Sequence, residues 1–416
     1  MLQFRTDGEQ DPNIDTPASK PDVPHVVLRP RRAQPFFGRH PWVFSGAIQR
    51  VEGEPRDGDE VVLVTDRGEF VGRGLYNSKS NIHVRLYSWE EATRLDEAFF
   101  ADRIAAALKL RRTLKLDAAD GACRLVFSEA DGLSGLIVDR YADWLLVQFT
   151  SLALAQRKDS LLAALREQWH PAGMWLRTEK GIRDAEGLEI ADGPLEGGTP
   201  PRPIVIDEHG LKYGVDVVEG QKTGFFLDQR ENRASIAAFA AGARVLDVCC
   251  YSGGFSLNAA RAGARQVIAV DSSSTALALA EANAERNGLR DKMEFVKSDA
   301  FKALEVIRDR GERFDLLILD PPKLARHAKG VPEALRGYHG LNQLAVQCLA
   351  PDGILVTCSC TGNVERLQFE EMLAEVARTT NRDLQILSSR GAAPDHPTSV
   401  VCRETEYLKC YTCRVR

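Results

Sequence analysis

From about Ile204 onward, short apolar runs alternate with amphipathic stretches, and this alternation constrains the fold more than any other feature of the chain. "ARVLDVCC", "RQVIAVD", "MEFVKSD", "FDLLILD" and "GILVTCS" read as strands. Between them "GGFSLNAARAG", "STALALAEANAERNG", "AFKALEVIRDR" and "EALRGYHGLNQLAVQCLA" read as helices. Strands that are almost continuously apolar must be covered on both faces, so the pattern predicts a parallel sheet between two layers of helices. In such sheets ligands bind beyond the carboxyl ends of the strands. Four runs end in aspartate there: Asp247, Asp271, Asp299 and Asp320. A lone aspartate after a strand commonly caps the next helix. Four of them, each one βα unit from the last, outline one site.

The loop "DVCCYSGGF" turns from strand to helix on a glycine pair, Gly253 and Gly254. It is not G-x-G-x-x-G, and the chain contains no phosphate-cradling P-loop. A cofactor with an adenosine and a ribose but no phosphates fits better, because it asks for close backbone approach only. Asp271, 24 residues after Asp247, is placed to accept hydrogen bonds from ribose hydroxyls. Asp299 is placed to accept from an adenine amino group.

The preceding half divides by composition. Residues 1–25 are polar, Pro-bearing and mostly acidic, which predicts a disordered tail and lacks the apolar core of a signal peptide. Residues 26–95 hold short β-rich runs such as "DEVVLVTDRGEFVGRGLYN" and "NIHVRLYSW", separated by Gly and Asp turns, and predict a small β-barrel. Residues 96–203 predict a middle α+β domain: helices at "DEAFFADRIAAALKLRRTL" and near 155–168, strands in "CRLVFSEADGLSGLIVDRYADWLLVQF" and "GMWLRT". "ADGPLEGGTPPRP" reads as the linker into the last domain, 204–416.

The net charge of −5 does not announce a nucleic-acid binder, yet Val26 to Arg50 carries five arginines and no acid. A local basic face can still meet phosphate. Nine cysteines, odd in number and without a secretion signal, predict free thiols in the reducing cytoplasm. No run of about 18 apolar residues is present to span a membrane. In "VTCSCTGN", Cys358 and Cys360 would lie about 6.6 Å apart in an extended chain, which makes a poor disulfide. Cys410 and Cys413 have metal-knuckle spacing, but no second pair completes four ligands, so packing is expected and no metal.

Together these residues resemble class I S-adenosylmethionine-dependent methyltransferases, and "LILDPPK" resembles their fourth motif, which presents a target base. "GQKTGFFLDQRENR", "DVCCYSGGFS", "DPPK", "TCSCTG" and "APDHPT" jointly resemble the RlmI-type bacterial ribosomal RNA cytosine-carbon-5 methyltransferases. "GRHPWVFSGAI" resembles the opening of that family's PUA domain, so the likeness covers about nine tenths of the chain. The resemblance implies a Rossmann-like, seven-stranded, mostly parallel sheet behind a PUA domain. It implies S-adenosylmethionine as cofactor, held by Asp247, Tyr251, Ser252, Gly253, Gly254, Phe255, Asp271, Ser272, Asp299, Ala300, Asp320 and Gln229. It further implies large-subunit ribosomal RNA as partner, with a homodimer as a candidate assembly.

Carbon 5 of cytosine is too weak a nucleophile for a methyl sulfonium, so a thiolate must first add to carbon 6. Cys360 follows Ser359 into the loop over the pocket and matches the family's nucleophile, whereas Cys358 belongs to the apolar run and is expected to pack. Asp320 can bond the cytosine amino group and N3. Pro321 and Pro322 stiffen a platform for the base, and Lys323 can favour a thiolate or hold phosphate. By resemblance Lys222, Phe226, Asp228, Gln229 and Arg230 cover the pocket; an amphipathic helix capped by Asp228 is the plain alternative. Asp395 and His396 approach it without an assigned role. A stacked target base must be flipped out, and Arg29, Arg31, Arg32 and Arg39 are candidates to hold RNA phosphates meanwhile. Phe36, Phe37 and Trp42 are expected to pack rather than stack. Two other readings stay open: methylation of an exocyclic amine without a cysteine, and a non-catalytic RNA-binding assembly factor. The better-known RNA cytosine methyltransferases carry Pro-Cys after the motif-four aspartate, where this chain has Pro-Pro-Lys.

Overall fold

The computed structural model describes residues 23–220, 224–325 and 327–416. Lys222 and most of the segment expected to be a tail lie outside these. The first strand begins at His25, inside that segment.

The amino-terminal sheet has six strands, ordered Trp42–Phe44, Ile82–Ser88, Phe70–Tyr76, Glu60–Val64, His25–Leu28, Ile48–Glu52. Its two edge strands are joined by the single turn Ser45–Ala47, so the sheet must curl until its edges meet. Val26, Leu28, Val43, Val61, Leu63, Val84 and Leu86 fill the inside. Phe36 is buried with them and Trp42 donates to Glu129 (2.9 Å), while Phe37 is exposed.

The middle domain is a five-stranded sheet ordered Gly193–Glu196, Gly173–Leu176, Trp144–Phe149, Leu136–Tyr141, Ala122–Phe127. The Gly- and Pro-rich stretch read as a linker therefore supplies an edge strand, because a half-covered edge tolerates Pro194 where a central strand would not. The helices Glu97–Thr113 and Lys158–Trp169 cover one face. The other face contributes Ala122, Tyr141, Trp144 and Leu146 to the same core as Tyr213, Phe225, Val245 and Leu257 of the last domain. A hairpin, Ile204–Glu208 with Leu211–Val215, closes that seam.

The main sheet of the last domain has seven strands: β1 Arg244–Val248, β2 Gln266–Asp271, β3 Met293–Lys297, β4 Phe314–Leu319, β5 Leu349–Ser359, β6 Leu384–Arg390 and β7 Lys409–Val415. Their order is β3-β2-β1-β4-β5-β7-β6, with the first five parallel and β7 antiparallel to both neighbours. The crossover helices are α1 Gly254–Arg261, α2 Ser274–Arg286, α3 Ala300–Asp309, α4 Val331–Gln347 and α5 Arg366–Thr380. Strand order reverses between β1 and β4, which opens the crevice where an open α/β sheet takes its ligand. No helix among the described residues is long and apolar enough to cross a membrane.

Candidate active site

The crevice is a cavity of about 290 Å³ lined from five strand ends. Tyr251, Ser252 and Gly254 follow β1, Asp271 and Ser272 end β2, and Asp299 and Ala300 follow β3. Asp320, Pro321 and Pro322 follow β4, and Cys360 follows β5. Phe226, Asp228, Gln229 and Phe255 complete the wall.

The loop after β1 is held in an unusual shape. Cys249 and Tyr251 adopt left-handed backbone angles, φ 65° and 47°, which non-glycine residues rarely do. Asp271 fixes it, accepting from the backbone N–H of Tyr251 (3.0 Å) with one oxygen and of Ser273 (2.9 Å) with the other. Gly253 sits at φ 79°, and a Cβ there would press to 3.1 Å from Ala280. Asp299 caps α3, accepting from Phe301 and Lys302, so the ordinary cap and the cavity wall are one side chain.

Asp247 is placed differently from its expected cofactor contact. It is fully buried and does not line the cavity; one oxygen accepts from the Ser256 N–H (3.0 Å) and hydroxyl (2.6 Å), pinning α1 to β1. Its other oxygen has no hydrogen-bond partner among the described residues, and burial pushes the carboxyl up to about 7 despite the Ser256 bonds. Arg230 also departs from its expected substrate contact. Its guanidinium is buried on Asp395 (3.0 Å), Glu208 (3.8 Å) and the Ala122 carbonyl (2.7 Å), because the helix it starts turns it towards the middle domain.

Gln229, the residue before, points the opposite way. It donates to Asp320 (3.0 Å), and its own oxygen is held by Asn232 (2.6 Å), so the Asp320 carboxylate is aimed by a fixed relay. Asp228 is no helix cap: it is buried and accepts from the Tyr407 hydroxyl (2.6 Å). Asp395 and His396 pair at 3.1 Å inside the seam, where Asp395 also takes the Arg124 N–H (2.9 Å). Burial alone would raise Asp395, but His396 and Arg230 hold it well below the usual carboxylate range. Lys323 is exposed and lies outside the cavity lining. Arg29, Arg31, Arg32 and Arg39 are each exposed on the first domain, and Arg32 borders a second cleft with Phe36, His40, Trp42, Phe44 and Glu404.

The cysteines separate cleanly. Cys358 lies inside β5 opposite Cys410 of β7, fully buried, and its thiol is pushed far up by its bond to Cys410 and by burial. Cys360 comes after the strand end and faces the cavity. Cys249 and Cys250 are also pushed up by burial, with neighbouring carboxylates adding to it. Cys410 and Cys413 belong to different cores on opposite faces of β7, so they cannot share a metal. His40, Cys402 and Glu404 gather at the second cleft, where the His40 ring and the Cys402 thiol both bond Glu404 (3.4 and 3.5 Å).

Sequence reasoning passed over three groups beside Cys360. Tyr338 bonds the Thr361 hydroxyl (2.8 Å), which accepts from the Leu324 N–H (3.2 Å), so the loops after β4 and β5 are tied together. Tyr407 bonds Asp228, and Lys409 is buried beneath the Cys360 loop. The signal available for Lys409 is a charged residue inside the apolar run "YLKCYTC".

The cavity fits a cationic, phosphate-free adenosine cofactor. Asp228, Asp271, Asp299 and Asp320 surround it, and the single arginine among the described residues of its wall, Arg233, is neutralised by Glu208 (2.6 Å). Comparison with known proteins agrees. A PUA-like domain model matches residues 26–89, and a model described as S-adenosylmethionine-dependent methyltransferase matches 189–400. Ribosomal RNA large subunit methyltransferase I of Citrobacter koseri is 38% identical over 94% of this chain and 99% of its own. The protein of that name from Aeromonas hydrophila is 40% identical over 94% and 99%. Among solved structures, a methyltransferase complexed with SAH has a TM-score of 0.82 at 23% identity, covering 94% of this chain and 99% of its own. A SAM-dependent methyltransferase from Streptococcus mutans has a TM-score of 0.80 at 22% identity over the same shares, and these two likenesses speak for the fold. With family models and near-full-length relatives on one side and an acid-lined crevice at the β1/β4 switch on the other, the chain belongs to the S-adenosylmethionine-dependent methyltransferases that carry an amino-terminal PUA-like domain.

Proposed function

We propose that this enzyme methylates carbon 5 of a cytosine in large-subunit ribosomal RNA through a covalent bond between Cys360 and the base. The observation that carries the reading is the placement of Cys360 in the wall that also holds Asp320, Pro321 and Pro322, while Cys358 is sealed in the sheet. Bound S-adenosylmethionine supplies an electrophilic methyl group. The Cys360 thiolate adds to carbon 6, and the electron pair of the 5,6 double bond moves toward N3, making carbon 5 nucleophilic. Asp320, aimed by Gln229, bonds the amino group and shares a proton with N3 as charge gathers there. After carbon 5 has taken the methyl group, loss of its proton restores the double bond and expels the thiolate. The RNA reading draws support from the relatives' name and from the exposed Arg29, Arg31, Arg32 and Arg39, which are suited to phosphate. A reducing, cytoplasmic setting suits nine free thiols.

Cys360→Ala should lower methyl transfer to undermethylated 23S-type RNA by a thousand-fold or more, on the order seen when a covalent nucleophile is removed. S-adenosylmethionine affinity by calorimetry should be unchanged. Full activity in that variant would favour transfer to an exocyclic amine, and a wild-type chain that binds no cofactor would favour an assembly factor. Mass mapping of ribosomal RNA from cells lacking the protein identifies the modified base.

A further inference from the structure

Lys409 is a lysine where a lysine is least expected: 2% exposed, at the start of a strand bounded by buried residues. It stands opposite Ser359 in the β5–β7 register, one residue before Cys360. Its ammonium donates to the carbonyls of Thr361 and Val364, both at 2.7 Å. Those two acceptors belong to the turn that begins at Cys360, so the side chain gathers the turn around a single positive charge. Burying a charge without partners would be prohibitive, and two carbonyls satisfy only part of what an ammonium offers. A methionine in its place would fill the space without that penalty. Retention of a cation under the reactive loop therefore calls for a second use.

We propose that Lys409 is a positioning residue for the proposed nucleophile: it clamps the 360–364 turn and supplies the counter-charge that favours the thiolate of Cys360. The inference rests on Cys360 being the nucleophile. Among the described groups that feel the charge of Cys360 are Lys409 of β7, Tyr338 of α4 and Tyr407 just before β7. Lys409 is the cation among these three, and a thiolate is stabilised by a nearby cation. Around the ammonium itself stand Arg366, Glu406, Lys323 and Cys360. Burial, with Arg366 adding to it, pushes the amine down to about 8, so it remains charged at neutral pH, when the reaction needs it.

The test reads the thiol directly. Iodoacetamide alkylation of Cys360, followed by peptide mass spectrometry from pH 5 to 9.5, gives the titration of that cysteine apart from the eight others. Lys409→Met and Lys409→Gln should shift its midpoint upward by about one unit, slowing alkylation at pH 7 roughly 10-fold. Lys409→Arg should restore most of the rate. The turnover number for RNA should fall in step, with KM for S-adenosylmethionine unchanged. Should the Met variant lose cooperative melting, the Gln variant, which can still donate to one carbonyl, carries the comparison. Wild-type alkylation across the pH range in Lys409→Gln would overturn the proposal. Undiminished methylation by Cys360→Ala would instead remove the nucleophile reading and leave the alkylation profile intact, so the two failures are distinguishable.

Discussion

Two polar clusters flank the segment Phe226–Arg233, and they are built on opposite terms. On one side lies the strand-end crevice, where Asp271, Asp299 and Asp320 each bond the protein and also line an open cavity. On the other lies the seam with the middle domain, where Arg111, Arg124, Arg230 and Arg233 are closed against Asp131, Asp139, Asp395 and Glu208. Adjacent residues serve different sides: Gln229 aims Asp320, and Arg230 locks Asp395. The chemistry of a residue does not decide between binding and bracing. The direction in which its helix turn sends it does.

The largest effect is expected at the seam. Arg230→Met removes one cation from a buried network and leaves Asp395 and Glu208 with less compensation, which should cost roughly 3–5 kcal/mol in urea unfolding. Cofactor affinity measured on the protein that remains folded should stay within a few-fold of wild type. A loss of RNA affinity with unchanged stability would instead place Arg230 on the substrate side. In the crevice the balance should invert. Asp320→Asn should reduce the turnover number about 100-fold, the scale of a lost transition-state bond, with a melting temperature close to wild type.

The fold was legible because parallel strands covered on both faces announce themselves as short apolar runs, and each strand-end acid marks where a run stops. The crevice was legible for the same reason. Its inner supports were not. Asp247 ends a run as Asp271 does, yet it lies before the last strand residue, Val248, and so turns into the sheet rather than out of it. Arg230 could not be assigned from sequence, since its partners lie 165 and 22 positions away. Gly193–Glu196 escaped notice because an edge strand rich in Gly and Pro has the composition of a linker.

Asp247 and Asp395 make the contrast measurable by pH, with opposite signs. Asp395 is held down in the fold, so its contribution is present above its unfolded value near 4 and is lost as pH falls below that. Asp247 is raised to about 7, so the fold holds a proton that the unfolded chain has released, and stability should fall as pH rises from about 4 to about 7. Asp247→Asn should flatten that slope, by roughly 4 kcal/mol over the window, while the loss below pH 4 persists. An unchanged slope in denaturant titrations at pH 4.5, 5.5 and 6.5 would mean that the carboxyl is ionised throughout.

The smallest effect tests the sharpest version of the contrast, between two thiols two residues apart. Cys358 is buried in the core on one face of the sheet: Cys410 stands across from it, and Val356 and Ile318 belong to the same core. Truncating it to alanine removes one buried sulfur and leaves a cavity smaller than a methylene pair, worth about 1 kcal/mol. Methyl transfer should hardly change. Cys360→Ala should do the reverse, leaving stability nearly intact because its sulfur faces the cavity rather than the core. If Cys358→Ala instead silenced the enzyme without destabilising it, the strand would have to end earlier than Ser359, and the antiparallel pairing of Ser359 with Lys409 that fixes that end would be the feature to doubt.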